Sequence, residues 1–413
     1  MDQTKGIEYL RGKLSDRSQR VNIRYKQYDA KYVDKAVGIT IPPNIRRLYR
    51  ATFGWCAKAV DALADRLVFR EFDNDNFELN EIFQMNNPDV FFDSSVLSAL
   101  IASCCFVYIS PGDEEGIPRL QVVDAANATG VIDPITGLLK EGYAVLSRED
   151  NGKVVDEAYF LPERTVLLRD GKITETRSHV VPHPLLVPII HRPDAVRPFG
   201  RSRITRAAMY YQAYAKRTME RADITAEFYS FPQKYATGLS QDAEMIDAWK
   251  ATISSMLTFE KDEDGDKPIL GQFTTPSMSP FTEQLRTAAA GFAGETGLTL
   301  DDLGFVTDNP SSAEAIKASH ETLRIAAKKA QRTFGSGFLN VGFLSACLRD
   351  DFPYKRKQFY LTTPKWEPTF EADASTLSLI GDGAIKINQA IPGYFDGDTL
   401  RDLTGIKGAR DGR

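Results

Sequence analysis

Three groups of side chains in this 413-residue sequence have types and spacings that could support chemistry. The first group is His179, His183 and His191, whose imidazoles could bind zinc. Zinc ligands need a fixed frame, but Pro182 and Pro184 forbid the helix that would place two of these histidines on one face. No cysteine or HExxH motif lies beside them. We therefore predict a loop at a strand edge and no metal site.

The second group is acidic. Asp262, Asp264 and Asp266 imitate the first ligands of a calcium-binding loop, which also requires glycine at its sixth position and glutamate at its twelfth. Lys267 and Phe273 occupy those two positions. The run is predicted to be a solvated hairpin tip, and the sequence leaves open whether any metal binds there.

The third group surrounds Ser202, in the sequence GRSRI at residues 200–204. This stretch matches only half of a nucleophile elbow, because Ile204 stands where the second glycine is required. We interpret Ser202 as the exposed N-cap of the following helix, since serine before a periodic run is a favoured cap. Neither a GxxxxGK[ST] loop nor a GxGxxG fingerprint occurs, so a nucleotide-driven motor is not expected.

Composition and charge narrow the class of protein. Apolar residues make up 42 % of the chain and charged residues 26 %, which is typical of a globular protein. The net charge is −5 and the pI is about 5.6. The chain as a whole is therefore not an electrostatic nucleic-acid binder, because such a protein needs clustered basic excess to displace counterions.

The cysteines, the N-terminal residues and the hydropathy argue against a disulfide-stabilised, a secreted and a membrane-spanning protein. Cys56, Cys104, Cys105 and Cys347 are too few for a disulfide framework, and we predict reduced, buried thiols. The N-terminal residues carry no signal-peptide pattern. The longest nearly apolar run, Val96–Ile109, has 14 residues and is too short to span a bilayer.

A long amphipathic helix is predicted over Ser311–Leu348. Asn309 favours a turn before proline, and Ser311 with Glu314 forms a capping box. Apolar positions then recur at steps of three and four: Ile316, His320, Leu323, Ala327, Ala330, Phe334, Phe338, Val341, Leu344 and Leu348. A continuous helix would span roughly 57 Å. Each interior glycine costs about 1 kcal/mol relative to alanine, so Gly335, Gly337 and Gly342 predict an interruption and a bend.

The remaining periodicities predict an α+β, mainly helical chain with an inserted β-rich region between Cys104 and Pro198. The predicted helices are Asn44–Leu67, Phe77–Gln84, Val90–Ser103, Arg203–Phe228, Asp242–Leu257, Phe281–Glu295, Ala374–Ala390 and Asp398–Leu403. The predicted strands are Cys104–Ser110, Arg119–Val123, Gly142–Ser147, Glu157–Leu161, Thr165–Leu168 and Lys172–Thr176. Two-residue hairpin turns are expected at Asn151-Gly152 and Asp170-Gly171, and residues 351–368 are expected to be irregular.

The order of these parts resembles the portal proteins of tailed bacteriophages, in the siphophage-type branch. Five stretches carry the resemblance: ALADRLVF at the end of the Asn44–Leu67 helix, LNEIFQMNNPDV at Leu79–Val90, RPFGRSRI at Arg197–Ile204, FPQK at Phe231–Lys234, and NPSSAEAI at Asn309–Ile316. No one of them is a chemical signature. Their order along the chain is the specific feature.

The resemblance implies a portal-like subunit with a β-rich wing, two stem helices, an inserted clip, a long bent helix and a small helical crown. The implied boundaries are residues 1–200 for the wing, 201–230 for the first stem helix, 231–277 for the clip and 278–296 for the second stem helix. Residues 297–310 would form the tunnel loop, 311–350 the long helix, and 351–413 the wing return and crown.

The resemblance also implies a function without catalysis or cofactors. Family members form rings, usually dodecamers, at one capsid vertex and conduct double-stranded DNA without sequence specificity during packaging and ejection. Expected partners are the terminase, a head-completion adaptor, and capsid and scaffolding proteins, with no membrane. The expected location is the portal vertex of the virion, after assembly in the host cytoplasm.

Three sets of residues are assigned to sites by this resemblance. The channel-facing tunnel loop would contain Leu298, Thr299, Leu300, Asp301, Asp302, Leu303, Gly304 and Phe305. The start of the long helix would be marked by Asn309, Ser311 and Glu314. Contacts to a neighbouring subunit or to DNA would come from Lys317, Arg324, Lys328 and Arg332. The tunnel-loop segment carries acids but no lysine or arginine, so it would let DNA slide rather than bind its phosphates.

Two alternatives remain open from the sequence. One is a helical scaffold or adaptor that binds a partner through its tyrosine-rich N-terminal segment. The other is a hydrolase or transferase with a site in the β-rich region, using Asp124, Asp133 or His183. No residue spacing forces the paired groups that such a site would require.

Overall fold

The computed structural model of the protein describes residues 4–34, 48–112, 116–230, 234–237, 269–274, 277–305, 318–369 and 374–404. The predicted helix at 242–257, the acidic tip at 260–266 and the start of the long helix at 309–317 lie outside these residues.

The helices cluster before and after a β-rich middle region, so the predicted mixture of helices and strands is confirmed. They are α1 (Ile7–Tyr28), α2 (Trp55–Ala64), α3 (Leu79–Gln84), α4 (Pro88–Ala102), α5 (Arg206–Ser230), α6 (Ser279–Thr296), α7 (Glu321–Arg349), α8 (Ala374–Ala390) and α9 (Gly397–Thr404).

Within the described ranges, the strands form four antiparallel sheets. They are β1 (Phe69–Asp73), β2 (Cys104–Ser110), β3 (Arg119–Asp124), β4 (Ala128–Ile132), β5 (Leu139–Arg148), β6 (Val154–Leu161), β7 (Arg164–Arg169), β8 (Lys172–Ser178), β9 (Leu186–Ile190), β10 (Lys234–Thr237), β11 (Ile269–Gln272) and β12 (Thr363–Trp366). The sheet orders are β3-β2-β9, β4-β5-β6-β7-β8, β1-β12 and β10-β11. The last strand, β12, corrects the expectation that residues 351–368 are irregular, because Thr363 pairs with Asp73 far away in sequence.

The two predicted hairpin turns have different outcomes. Asp170 and Gly171 have positive φ angles of 50° and 76° and join the paired residues Arg169 and Lys172, as a type I′ turn requires. The turn near Gly152 is longer than predicted, because strand pairing ends at Arg148 and Val154. The connection spans residues 149–153, and the N–H of Glu149 donates to the carbonyl of Lys153 across it over 2.9 Å.

The predicted helix over Asn44–Leu67 is wrong at residues 49–54, while residues 44–47 lie outside the described residues. Residues 51–54 are not helical, and α2 starts after Gly54. Phe53 instead packs edge-on against Trp55, with ring centroids 5.0 Å apart. An aromatic contact and the entropic cost of ordering glycine therefore outweigh the apolar periodicity at this point.

The long helix α7 runs through the centre of the core. It is uninterrupted from Glu321 to Arg349, so the three glycines do not break it. They mark close packing instead: a Cβ on Gly335 would lie 2.6 Å from Pro364, and one on Gly342 would lie 2.8 Å from Leu79. The predicted apolar face is buried from Leu323 to Leu344, and Leu348 at its end is partly buried.

Aromatic rings surround the middle of α7. The Phe338 ring lies 4.8 Å from Phe92 and 5.8 Å from Phe69, measured between centroids, and both contacts are edge-on. Trp366 on β12 contacts the same ring at 6.1 Å. Such rings bury 150–250 Å² each, so this cluster joins the N-terminal helices to the C-terminal strand in one core.

His191 is a buried core residue rather than a metal ligand. Its Nδ1–H donates to the carbonyl of Arg201 over 2.7 Å, and its ring stacks on Phe334. Burial lowers the pKa of His191 to about 4. Among the residues that the structure describes, no three His, Cys, Asp or Glu side chains are grouped to hold a metal ion. The four cysteines are free and buried, as predicted.

Replacing Gly335 with alanine should destabilise the protein by about 1–2 kcal/mol, because the rigid ring of Pro364 would have to move. This loss should exceed the gain in helix propensity, which is about 1 kcal/mol. Urea unfolding measures the difference. Gly294→Ala is the matched control: a Cβ there has nothing within 4 Å, so it should stabilise the protein. A stabilising Gly335→Ala variant would contradict the packing assigned to α7.

The His191 imidazole should make stability fall as pH drops from about 6.5 to about 4. In that window the unfolded chain binds a proton that the folded chain excludes, so the loss reaches about 3 kcal/mol near pH 4. Urea unfolding of wild type and His191→Asn at pH 7, 5.5 and 4.5 measures it. Asparagine retains a donor toward Arg201 but does not titrate, so its slope should be flatter. Equal slopes in the two proteins would refute the assignment.

Candidate functional site

Helices α5 and α6 form an antiparallel pair of about 37 Å and 27 Å in length. Near one end, the Thr205 hydroxyl donates to the Glu295 carboxylate over 2.7 Å. Further along, Tyr211 lies directly over Gly291, where a Cβ would meet its ring at 2.3 Å. The two-stranded sheet β10-β11 follows α5 and precedes α6. The two predicted long helices of this region are therefore confirmed as one hairpin.

The start of α5 differs from the prediction. Ser202 is buried, and its hydroxyl donates to the carbonyl of Ile101 over 2.5 Å. The same hydroxyl accepts the N–H of Ile204 over 2.9 Å. Thr205 is the N-cap instead, since its hydroxyl accepts the N–H of Ala208 over 3.1 Å. Ser202 thus fastens the chain to α4 rather than capping an exposed helix.

Arg203 joins this hairpin to the core. Its backbone N–H donates to Leu100 over 2.8 Å, and its Nε donates to Ala59 in α2 over 3.1 Å. Its Nη2 donates to the carbonyl of Thr296, the last residue of α6. Burial lowers the pKa of Arg203 to about 10. The guanidinium satisfies carbonyls that the helix end cannot pair internally, so it holds three elements at one point.

The segment after α6, predicted to face the channel, is a closed turn packed on the core. Thr299 and Asp302 lock it, because the Asp302 carboxylate accepts both the N–H and the hydroxyl of Thr299 at 2.9 Å. The Thr299 hydroxyl in turn accepts the N–H of Asp302 over 3.1 Å. Gly304 ends the turn in the left-handed region, with φ 88°.

The packing of this turn shows which of the predicted tunnel-loop residues are buried and which are exposed. Leu298 is buried, and Leu300, Leu303 and Phe305 pack against the main core. Leu300, Leu303 and Phe305 are partly buried, so the apolar side chains of the turn lie on its core side. The exposed residues of the turn are Asp301 and Gly304. An apolar pattern of Leu-x-Leu-x-x-Leu-x-Phe in the sequence was the signal for this packing.

The long-helix residues assigned to contacts are partly described. Arg324 pairs with Glu321 over 2.5 Å, as an exposed i, i+3 pair. Lys328 and Arg332 are exposed on α7. Their availability fits a contact with another molecule. The remaining assigned residues, Asn309, Ser311, Glu314 and Lys317, lie outside the described residues.

Sequence reasoning missed a basic cleft of about 1020 Å³ beside α1. One wall carries Lys5, Lys13, Arg17, Arg20 and Arg24. The other wall carries Arg197 and Arg201 from the loop that leads into α5, and Arg206 from the first turn of α5. Glu295 is the one acidic residue among the lining residues that the structure describes. The signal in the sequence was the 4-3-4 spacing of residues 13, 17, 20 and 24, which places them in one row of a helix.

Buried acids hold α1 in place beside the cleft. The Glu141 carboxylate accepts the backbone N–H groups of Lys5 and Gly6, at 2.9 Å and 3.2 Å, where the helix begins. Arg11 forms a two-point ion pair with Glu157, which also accepts the hydroxyl of Tyr143. Burial and this neighbouring carboxylate raise the pKa of Tyr143. The opposite side of α1 is thereby fixed facing the cleft.

The charges in the cleft are largely uncompensated. Arg24 donates to the carbonyl of Ala102 over 2.7 Å rather than to a carboxylate. Burial, together with Arg17 and Lys5, lowers the pKa of Lys13 to about 8. Lys13 and Arg17 both lie over the face of Phe199, at 5.0 Å and 5.8 Å from the ring centroid. Holding several cations this close together is electrostatically unfavourable, which indicates a binding surface for an anionic group.

Two of the residues suggested for a hydrolase site, Asp124 and Asp133, form hydrogen bonds within turns. The Asp124 carboxylate accepts the N–H of Ala126 over 2.6 Å and the amide of Asn127 over 2.7 Å. Asp133 accepts the N–H of Ile135 and the hydroxyl of Thr136, and these bonds lower the pKa of its carboxyl. A carboxyl that is held ionised in a turn does not provide the raised pKa of a general acid.

No helix among the described residues is long and apolar enough to cross a membrane.

The portal protein of Mycobacterium phage L5 is 26 % identical to the chain over 349 residues, which cover 79 % of this chain and 70 % of that protein. The portal protein of Mycobacterium phage D29 is 25 % identical over 349 residues, with the same coverage of 79 % and 70 %. No protein-family model matches the chain.

Among solved structures, the chain is similar to the neck of the native gene transfer agent particle computed with C12 symmetry, at 13 % identity and a TM-score of 0.48. That match covers 94 % of this chain and 99 % of the other. The virion of the native gene transfer agent particle gives 14 % identity and a TM-score of 0.45, with the same coverage of 94 % and 99 %. These low scores carry no inference about function. The two phage proteins match in sequence over most of the chain, and the predicted resemblance to tailed-bacteriophage portal proteins is thereby confirmed.

Proposed function

We propose that the protein is the subunit of a phage portal, a ring at one capsid vertex through which DNA enters during packaging and leaves at ejection. The sequence similarity to two portal proteins over 79 % of the chain is the observation that carries this proposal. The ring is a dodecamer, and it has a structural role without catalysis or cofactors. It docks the terminase and a head-completion adaptor, contacts capsid and scaffolding proteins, and is assembled in the host cytoplasm.

The architecture supports this proposal by its division of parts. Residues 1–200 form the wing, the α5–α6 hairpin the stem, and residues 231–277 the clip. Helix α7 runs from the channel side to the core of the wing, and residues 351–413 complete the wing and form a small crown. Arg203 fits this division, because it ties the end of α6 to α2 and α4 at the junction of stem and wing.

The tunnel loop is proposed for residues 297–310, with Asp301 as its exposed acid in the described part. The closed Thr299–Asp302 turn forms the rigid base of this loop. An exposed carboxylate repeated around a ring repels DNA phosphates and keeps the duplex from binding the wall. DNA therefore passes without sequence-specific contacts.

The native mass is the decisive measurement. Purified protein should form rings with a central hole in negative-stain electron microscopy and a matching mass by light scattering. The sequence alternative, a helical scaffold or adaptor, predicts a monomer or a small oligomer. A monodisperse monomer at low and high salt would refute the portal proposal.

Asp301→Lys should reduce the DNA packaged per particle, because every subunit of the ring would add a cation that binds passing phosphates. Complementation of a portal-deficient phage, followed by measurement of DNA per capsid, tests this outcome. Asp150→Lys is the matched control, since Asp150 is an exposed acid at a hairpin of the five-stranded sheet. Equal packaging by both variants, with normal rings, would place Asp301 away from the channel.

A further inference from the structure

The basic cleft needs an anionic occupant that the described residues of the subunit do not supply. No carboxylate among the described residues pairs with Arg17, Arg20 or Arg24, although Arg201 pairs with Asp194 over 2.7 Å. The like charges along α1 lie at i, i+3 and i, i+4, a spacing that destabilises an isolated helix by roughly 0.2–0.5 kcal/mol per pair. A partner with acidic side chains would relieve this repulsion.

The rest of the subunit is acidic, which favours a second copy of the chain as that partner. The cleft holds eight basic residues and one acidic residue, a charge of +7. The whole chain has a net charge of −5, so the remainder carries −5 − 7 = −12. A ring that closes by rotation uses two different, complementary surfaces on each subunit. A cationic cleft on an anionic subunit meets the electrostatic part of that requirement.

A complementary surface lies at the far end of α4. We call it the acidic ridge; it consists of the exposed residues Glu81, Met85, Asp89, Val90 and Asp93. Val90 is 61 % exposed and Met85 is 43 % exposed, so the ridge combines apolar and acidic side chains. Asp89 and Asp93 are an i, i+4 pair of like charges without an ion-pair partner among the described residues, the same unfavourable spacing as in the cleft.

The composition of the cleft matches this ridge. Its cationic rim surrounds an apolar floor that includes Leu14, Val21, Phe106 and Ala128. The exposed Met85 and Val90 could bury their side chains there while Asp89 and Asp93 meet the arginines. Duplex DNA, by contrast, is a polar cylinder about 20 Å across and has no apolar side chain for that floor.

The position of the two surfaces also suits a ring. Ala102 at the end of α4 lines the cleft, whereas Asp89 lies in the first turn of the same helix. The two ends are about 20 Å apart at 1.5 Å per residue. One rigid helix therefore separates the two surfaces, as a head-to-tail contact needs.

We propose that the acidic ridge of one subunit docks into the basic cleft of the next and closes the ring. This pairing rests on the proposed portal function and names the surfaces that build the ring. It is electrostatic at the rim and apolar at the floor, so ring stability should decrease as salt increases from 50 to 500 mM.

Charge reversal with rescue tests the pairing. Arg17→Glu with Arg20→Glu should convert rings into folded monomers, because neither side chain has a hydrogen bond or ion pair to the residues that the structure describes, and only the contact of Arg17 with the Phe199 ring would be lost. Asp89→Lys with Asp93→Lys should do the same. The chain with all four changes should form rings again, since the attraction is restored with the signs exchanged. Light scattering and negative-stain microscopy measure assembly, and circular dichroism checks folding.

Arg164→Glu with Lys172→Glu is the matched control, because both are exposed cations on the five-stranded sheet, away from cleft and ridge. This control should form normal rings. Normal rings from the Arg17→Glu, Arg20→Glu variant would overturn the pairing, and so would failure of the fourfold variant to recover. Normal rings that package less DNA would overturn it too and assign the cleft to nucleic acid. A wild-type chain that stays monomeric would refute the portal function itself.

Discussion

One buried guanidinium, that of Arg203, fixes how the parts of the subunit sit together. It donates to carbonyls in α2 and at the end of α6, while its own backbone N–H bonds to α4. A charge buried without a carboxylate is costly, and here two carbonyl dipoles offset part of that cost. The carbonyl of Thr296 would otherwise be an unpaired acceptor in a buried position. The hairpin and the core therefore fold as one body.

A second constraint acts on helix α1, because one side of it is anchored to the five-stranded sheet and the other side carries basic residues. Leu10 and Leu14 pack against Tyr143 and Val145 of the five-stranded sheet. Arg11 adds a two-point ion pair on that side, and the other side carries the basic row. An anchored helix loses little further entropy when a partner binds, because its backbone is already ordered. The like charges of the row repel one another in the free subunit, and the proposed contact with an acidic partner would relieve this repulsion.

The predictions from the sequence succeeded where a feature depends on residues that are close together along the chain. The strand Cys104–Ser110, the turn at Asp170-Gly171 and the apolar face of α7 follow from local periodicity and turn chemistry, and all three are confirmed. The errors arise where distant residues decide. Ser202 became a buried anchor because Ile101 lies beside it, and the cleft exists because α1 folds against the loop before α5. Single-sequence patterns contain no information on such contacts.

The contact of Tyr211 with Gly291 has a mechanical consequence. A ring seated over a residue without a side chain resists sliding of the two helices, since displacement by one turn toward Ala288 would bring a Cβ atom under the ring. The hairpin then carries a force along its axis as one unit, because its two helices do not move independently. Because Arg203 fixes the base of the hairpin to α2 and α4, a force received at the β10-β11 end is passed to these two helices of the core.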